Sequence, residues 1–195
     1  MIDRKKVARQ ENEIKLSIPS PQAARRRIRQ AGFQLVHPRT FESNTVFDTP
    51  GSGLLARGEL LRVRRFGKQV VLTHKGPAHT GKHRTREETE VELSDAAAFE
   101  RILRRLGFHP VFRYEKYRTE YAKPGEHGMI LVDETPIGAF LELEGGPRWI
   151  DRTARALGFS EADYITKSYG GLYQEWCERN GVPRGHMVFA AHSGR

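Results

Sequence analysis

The chain is 195 residues long with a formal net charge of +9, enough for one domain with a core. Apolar positions are spread along its whole length, which argues against global disorder. A single cysteine, Cys177, excludes an intramolecular disulfide, and no stretch is long and apolar enough to cross a membrane as a helix.

The first segment, Met1–Arg9, is charged and lacks the apolar core of a signal peptide, so a cytoplasmic protein is expected. Residues 1–40 hold ten Lys/Arg against three Asp/Glu. Such a balance suggests an anionic partner. The cluster Arg25, Arg26, Arg27 and Arg29 reads as the solvated face of a helix. Glu11-Asn-Glu13-Ile-Lys15-Leu-Ser17 alternates as a strand. Ser20-Pro21 then opens a helix, with serine as cap and proline in the first turn, and Gly32-Phe33 closes it. A short strand is expected at Val46 to Asp48. Glu59 to Arg65 and Gln69 to Lys75 form a hairpin around Phe66-Gly67-Lys68.

The opening pattern then returns. Glu88-Thr-Glu90-Val-Glu92-Leu-Ser94 is followed by a helix from about Asp95 to Leu106 and by Gly107-Phe108. Lys116 to Tyr121 and Met129 to Asp133 make a second hairpin across the turn Pro124 to Gly128. The strand Gly138 to Glu144 carries Glu142-Leu-Glu144, a helix covers Arg148 to Leu157, and Gly158-Phe159 ends it. A last helix is expected over Gly171 to Arg179, and residues 183–195 read as a loosely held tail. The repeat length is irregular, so a solenoid is not implied, and no linker divides residues 1–195 into domains.

Strand side chains alternate between two faces. Glu11, Glu13 and Lys15 share one face against Ile14 and Leu16. Arg62 and Arg64 oppose Leu61 and Val63. Lys75 sits with Thr73, away from Leu72. Arg86, Glu88 and Glu90 share a face, as do Lys116 and Arg118. Glu142 and Glu144 oppose Leu141 and Leu143. An ordinary sheet would put these charges in water. The alternative is a sheet closed on itself with the charges inside and helices on the apolar outside. Carboxylates recurring in one motif, and cations recurring on the strands between, favour the closed version, because buried charges need partners. A ligand using both signs is a polyphosphate with a divalent metal. Lys and Arg grip phosphate oxygens, and carboxylates hold hard ions.

Glu11-Asn-Glu13-Ile-Lys15 resembles the E-x-E-x-K signature of the CYTH superfamily, the triphosphate tunnel metalloenzymes. The resemblance extends over about residues 10–176. It is carried by Phe47-Asp48-Thr49, Leu61-Arg62-Val63-Arg64, Leu72 to Gly76, Arg86-x-Glu88-x-Glu90, Lys116-Tyr117-Arg118 and Gly138-x-Phe140-x-Glu142-x-Glu144. It implies an α+β fold: an eight-stranded antiparallel β-barrel with a charged lumen and helices packed outside. It implies Mg²⁺ or Mn²⁺ on Glu11, Glu13, Glu142 and Glu144, assisted by Glu88 or Glu90 and Asp133. It implies triphosphate binding by Lys15, Arg62, Arg64, Lys75, Arg86, Lys116 and Arg118, with Glu13, Lys15, Glu142 and Glu144 at the catalytic centre. Lys167 lies near a position that is basic in some members. Asp133-Glu134-x-x-x-Gly138-x-Phe140-x-Glu142-x-Glu144 is most similar to the class IV adenylate cyclase branch, which implies ATP going to cyclic AMP and pyrophosphate. The alternatives are a phosphatase of tripolyphosphate, thiamine triphosphate or nucleotides, and a non-catalytic polyphosphate binder. No membrane partner is expected, and the protein is expected as a monomer or homodimer.

Three other motifs are set aside. Gly76-Pro-Ala-His-Thr-Gly81-Lys82 has P-loop spacing, but His83 follows where Ser or Thr should stand, and Arg84 to Leu93 reads as a strand. His74, His79 and His83 lack regular metal-ligand spacing. Cys177 reads as a packed helix residue. A nucleic-acid surface built on Tyr114, Tyr117 and Tyr121 is opposed by the interleaved glutamates, which repel a phosphate backbone.

Overall fold

A computed structural model describes residues 9–190. The strands are β1 (Arg9–Ile18), β2 (Gln34–Asp48), β3 (Leu60–Phe66), β4 (Gln69–Lys75), β5 (His79–Thr80), β6 (Arg84–Glu92), β7 (His109–Ala122), β8 (Gly128–Thr135) and β9 (Gly138–Gly145). The helices are α1 (Pro21–Gln30), α2 (Gly53–Ala56), α3 (Ala96–Arg105), α4 (Pro147–Ala156) and α5 (Tyr169–Asn180).

Eight strands run in the order β1-β9-β8-β7-β2-β3-β4-β6, and β6 pairs back onto β1 to close a fully antiparallel barrel. The two-residue β5 only flanks β6. Closure occurs in the E-x-E-x-K strand itself. Glu11 and Glu13 stand opposite Arg86 and Arg84 on one side, and Glu13 and Lys15 stand opposite Glu144 and Glu142 on the other. The charged face thus points inward.

The apolar face points outward and is covered. Ile14, Leu16, Ile130, Val132, Leu141 and Leu143 pack against Ile28 of α1 and Trp149, Ile150 and Ala154 of α4. On the far side Phe47 and Val63 pack against Leu103 of α3. Ser20 caps α1 by accepting from Ala23 N–H (3.2 Å), and Asp95 caps α3 by accepting from Ala98 N–H (2.8 Å). The three Gly-Phe pairs have one local cause. Gly32, Gly107 and Gly158 take φ of 86°, 87° and 85°, and the following Phe33, Phe108 and Phe159 donate N–H back to Ile28, Leu103 and Ala154. This six-to-one bond is a Schellman close, which needs a left-handed residue that glycine adopts without strain. No helix among the described residues is long and apolar enough to cross a membrane.

Three expectations need correction. β2 is fifteen residues long rather than the short Val46–Asp48 segment, because bulges between Leu35 and Thr40 accommodate Pro38 within the strand. β7 starts at His109 rather than Lys116. The start of the tail is docked: Met187 is fully buried, and it exchanges backbone bonds with Glu115 (2.8 Å) and Arg113 (3.0 Å). The reason is the length of β7. β8 pairs only with Tyr117–Ala122, which leaves the first half of β7 with a free edge, and residues 186–189 fill it. Residues 191–195 and 1–8 lie outside the described residues.

Candidate active site in the barrel lumen

The lumen holds a cavity of about 440 Å³. Eight cations line it: Lys15, Arg62, Arg64, Lys75, Arg84, Arg86, Lys116 and Arg118. Seven are the residues expected from the strand pattern, and Arg84 is added. The carboxylates of Glu11, Glu13, Glu142 and Glu144 line the same space.

These acids sit in two distinct settings. Glu11, Glu13 and Glu144 each bring a carboxylate oxygen within 4.8 Å of the others. Burial pushes the Glu144 carboxyl up to about 8. The charge of Glu11 adds to this, Arg118 opposes it, and Glu142 and Glu13 add further. Glu11 accepts from Lys75 Nζ (2.7 Å) and Glu13 from Lys15 Nζ (3.1 Å), while Glu144 has no ion-pair partner within 4.0 Å among the described residues. Three crowded carboxylates form an all-oxygen donor set that fits Mg²⁺ or Mn²⁺.

The other acids are paired with cations as well. Asp133 is fully buried and accepts from Lys116 Nζ (2.8 Å), Arg118 Nε (2.7 Å) and Nη2 (2.6 Å), and the Tyr169 hydroxyl (2.8 Å). Glu142 pairs with Lys15 Nζ (3.2 Å) and closely with Arg118. Burial alone would raise the Glu142 carboxyl. The charges of Lys15, Lys116 and Arg118 more than offset this and hold it well below the carboxylate range. Glu88 pairs with Lys75 (3.2 Å), and Glu90 accepts from Thr73 (2.9 Å) on the more open side of β6. Of the seven acids expected as metal ligands, Glu11, Glu13 and Glu144 come within 4.8 Å of one another, while Asp133, Glu142 and Glu88 pair with Lys116, Lys15 and Lys75.

Other cation donors are spare. Among the described residues, Arg62 Nε, Arg64 Nε, Arg86 Nε, and both Nε and Nη1 of Arg84, are buried without a hydrogen-bond partner. Buried guanidinium N–H groups without a hydrogen bond are costly. Carboxylates stand near three of these nitrogens at ion-pair distance only, Glu11 3.5 Å from Arg86 Nε, Glu42 3.7 Å from Arg64 Nε and Glu13 3.7 Å from Arg84 Nη1.

Strand parity alone misses four lumen residues. Glu42 is fully buried, opposite Lys116 (3.5 Å) and Arg64 (3.7 Å), and Asn44 donates to it (2.9 Å). Both sit in the part of β2 that Pro38 disguised. Tyr114 takes a bond from Arg62 Nη1 (3.0 Å) and lies in the first half of β7. Tyr169 comes from the first turn of α5, so strand alternation carries no signal of it. Its chain is led there by Ile165, which exchanges backbone bonds with Lys15 (2.8 and 2.9 Å). The Tyr169 ring lies under the ammonium groups of Lys15 (5.2 Å) and Lys116 (4.9 Å).

Lys167 is outside the cavity, exposed and paired with Glu175. His74, His79 and His83 do not converge, since His83 bonds Asp151 (2.8 Å) while His74 faces Glu59 (3.7 Å). The P-loop look-alike leads into strand β6, not a helix. Arg25 is partly buried against Glu134, whereas Arg26, Arg27 and Arg29 are exposed.

The family model described as the CYTH domain matches residues 9–169, which include the acid trio and the eight cations. The chain belongs to the CYTH family. A protein of Methanocaldococcus jannaschii, provisionally named an adenylate cyclase, is 29% identical over 169 residues, covering 82% of this chain and 95% of that one. Among solved structures, a Pyrococcus horikoshii protein is similar at 27% identity and a TM-score of 0.73, covering 85% of this CYTH chain and 98% of the other. A Hippeastrum protein, provisionally called an adenylyl cyclase and found to have a dominant triphosphatase activity, shares the fold at 18% identity and a TM-score of 0.59, over 89% and 97% of the two chains.

Proposed function

We propose that this CYTH domain is an enzyme that binds a triphosphate together with Mg²⁺ or Mn²⁺ in its lumen. We infer that its reaction is of the adenylate cyclase type, with ATP giving cyclic AMP and pyrophosphate. The observation that carries this reading is the juxtaposition of two incomplete halves. The carboxylates of Glu11, Glu13 and Glu144 crowd together, and eight cations line the same 440 Å³ cavity, several of their guanidinium nitrogens making no hydrogen bond. A triphosphate with a divalent ion completes both.

In this reading Glu11, Glu13 and Glu144 hold the ion. When bound, it supplies positive charge to the phosphate oxygens and acidifies the attacking hydroxyl or water. The chain's own cations do the rest. Arg62, Arg64, Arg84 and Arg86 offer forked donors to the phosphates, and Lys75 adds a point charge. Lys116 and Arg118 are held in place by Asp133, and Lys15 by Glu13 (3.1 Å) and Glu142. Burial would lower the Lys15 ammonium, but Glu13 and Glu142 more than offset it and keep it protonated. These fixed charges stabilise the negative charge that builds on the oxygens in the transition state.

In the cyclase reaction the ribose 3′-hydroxyl attacks the α-phosphorus and pyrophosphate leaves. The second reading is a triphosphatase, in which water attacks a terminal phosphorus and orthophosphate leaves. The triphosphatase activity found for the Hippeastrum protein, which shares the fold, supports this second reading. The test is to incubate the purified protein with Mg²⁺ or Mn²⁺ and, separately, ATP, tripolyphosphate and thiamine triphosphate, and to resolve the products. Cyclic AMP with pyrophosphate is expected. Orthophosphate without cyclic AMP would replace the cyclase by the triphosphatase. Tight binding without turnover would make the protein a polyphosphate binder.

A further inference from the structure

The cavity is not ionic throughout. Its cations and acids lie along the barrel, but where β2 ends and β7 begins Val46, Leu55, Leu60, Val111 and Phe112 join the lining, beside Asp48, Ser52 and Glu59. Register fixes this order. Val46 stands opposite Arg62 and Phe112, and Leu60 stands opposite Lys75 and two residues before Arg62 on the same face. An apolar collar therefore borders the ionic sleeve at one mouth.

Two local devices hold apolar groups there at a cost in exposure. Leu55 is 72% exposed, on a helix of four residues. The loop that presents it is pinned by Asp48, which accepts from the backbone N–H groups of Thr49 (2.7 Å), Leu54 (2.9 Å) and Leu55 (3.0 Å). Ser52, just before that helix, sits in the left-handed region at φ 54°. Val111 is the extra residue of a β-bulge. Val46 pairs with Phe112 but Phe47 pairs with Pro110, so Val111 has no partner and turns to the cavity beside Phe112 at 50% exposure. Bulges at barrel rims re-aim side chains in this way. Phe112 is in turn braced by Tyr114 (5.8 Å, 23° between planes) and Tyr173 (5.9 Å, 32°).

Inorganic tripolyphosphate has no use for such a collar, because every part of it is charged and hydrated. We propose that the collar of Leu55, Leu60, Val111 and Phe112 receives the flat organic group of an organic triphosphate, and that it makes this protein select such a compound over inorganic tripolyphosphate. The inference rests on the triphosphate reading of the same lumen. The polar end of the ligand sits among Arg62, Lys75 and their neighbours. Its organic end covers the exposed leucine and valine and packs on the Phe112 ring.

The test is equilibrium binding by calorimetry, with the whole protein and with ATP and tripolyphosphate as probes. Wild type is compared with Leu55→Ser and Val111→Ser. Both positions are exposed, so folding is retained, and Leu55→Met serves as a conservative control. Wild type should prefer ATP. The preference should drop about tenfold in each serine variant, the scale set by losing one apolar side-chain contact, and should return in Leu55→Met. If tripolyphosphate binds wild type as tightly as ATP does, or if the preference survives in both serine variants, the collar has no such role while the triphosphate reading stands. If neither probe binds, both readings fail.

Discussion

Asp133 and Arg64 mark two extremes among the lumen residues, and they predict opposite mutant behaviour. Arg118 is locked by Asp133 and Glu142, and no water reaches Asp133. Arg118→Ala would leave a buried carboxylate without its guanidinium, which costs about 3–5 kcal/mol of stability. Arg64 is a fifth exposed at its side chain, its nearest acid is 3.7 Å away, and its Nε bonds to nothing. Arg64→Ala should leave the unfolding midpoint nearly unchanged. It should instead cost turnover roughly 3 kcal/mol in kcat/KM, the scale of one lost charge-stabilising donor. Denaturant melts and steady-state kinetics on both variants separate the two effects; equal stability losses would contradict the assignment. Asp48 is a third kind of residue. Burial would raise its carboxyl, but the backbone N–H groups of Leu54, Leu55 and Thr49 more than offset this and hold it below the ordinary value. Its contribution is therefore present above the unfolded-state value near 3.8 and lost as pH falls through the lower folded value. Asp48→Asn should cost about 1–2 kcal/mol at pH 7, and the gap to wild type should close in strong acid. A gap independent of pH would mean that the carboxylate's charge is not what matters.

The elements show why sequence reading succeeded where it did. Each Glu-x-Glu strand is a clean period-two segment, and each following helix is marked at both ends, by Ser20, Asp95 or Gly146-Pro147 before it and Gly-Phe after it, so local chemistry dictates the boundaries. β2 failed that test. Its proline, its bulges and its polar run from Glu42 to Thr45 suppress the alternation, so Glu42 and Asn44 were not visible as lumen residues. Tyr169 was hidden for another reason, since a helix N-terminus entering a barrel leaves no periodic trace. The docking of Met187 depended on β8 being shorter than β7, which is a property of pairing rather than of either sequence. One element contact offers a direct check. Gly128 and Gly145 lie under the Trp149 ring, and a Cβ at Gly128 would fall 2.4 Å from it. The ring cannot easily withdraw, because its Nε1–H donates to Glu126 (2.6 Å). Gly128→Ala should destabilise by about 1–3 kcal/mol, the range for overpacking a core, as read from thermal unfolding. An unchanged midpoint would show that α4 can shift off the barrel.

At the scale of the molecule, the fold is an inverted barrel: apolar faces outward under α1, α3 and α4, charged faces inward. The repeated motifs made this arrangement legible, because mixed charge recurring on one strand face is hard to reconcile with a plain solvent surface. How the acids group was less legible. Parity places Glu11, Glu13, Glu88, Glu90, Glu142 and Glu144 on inward faces but cannot say how they pair. Three-dimensional packing brings Glu11, Glu13 and Glu144 within 4.8 Å of one another, lets Glu13 and Glu142 share Lys15, and sets Asp133 against Lys116 and Arg118. We propose that one lumen takes the ion and the triphosphate together. The most direct test is to titrate Mn²⁺ into the protein by calorimetry, with and without tripolyphosphate, in wild type and Glu144→Gln. Tripolyphosphate should tighten Mn²⁺ binding, Mn²⁺ should tighten tripolyphosphate binding by the same factor, and Glu144→Gln should weaken the ion about tenfold or more. Independent binding of the two, or full Mn²⁺ affinity in Glu144→Gln, would contradict it.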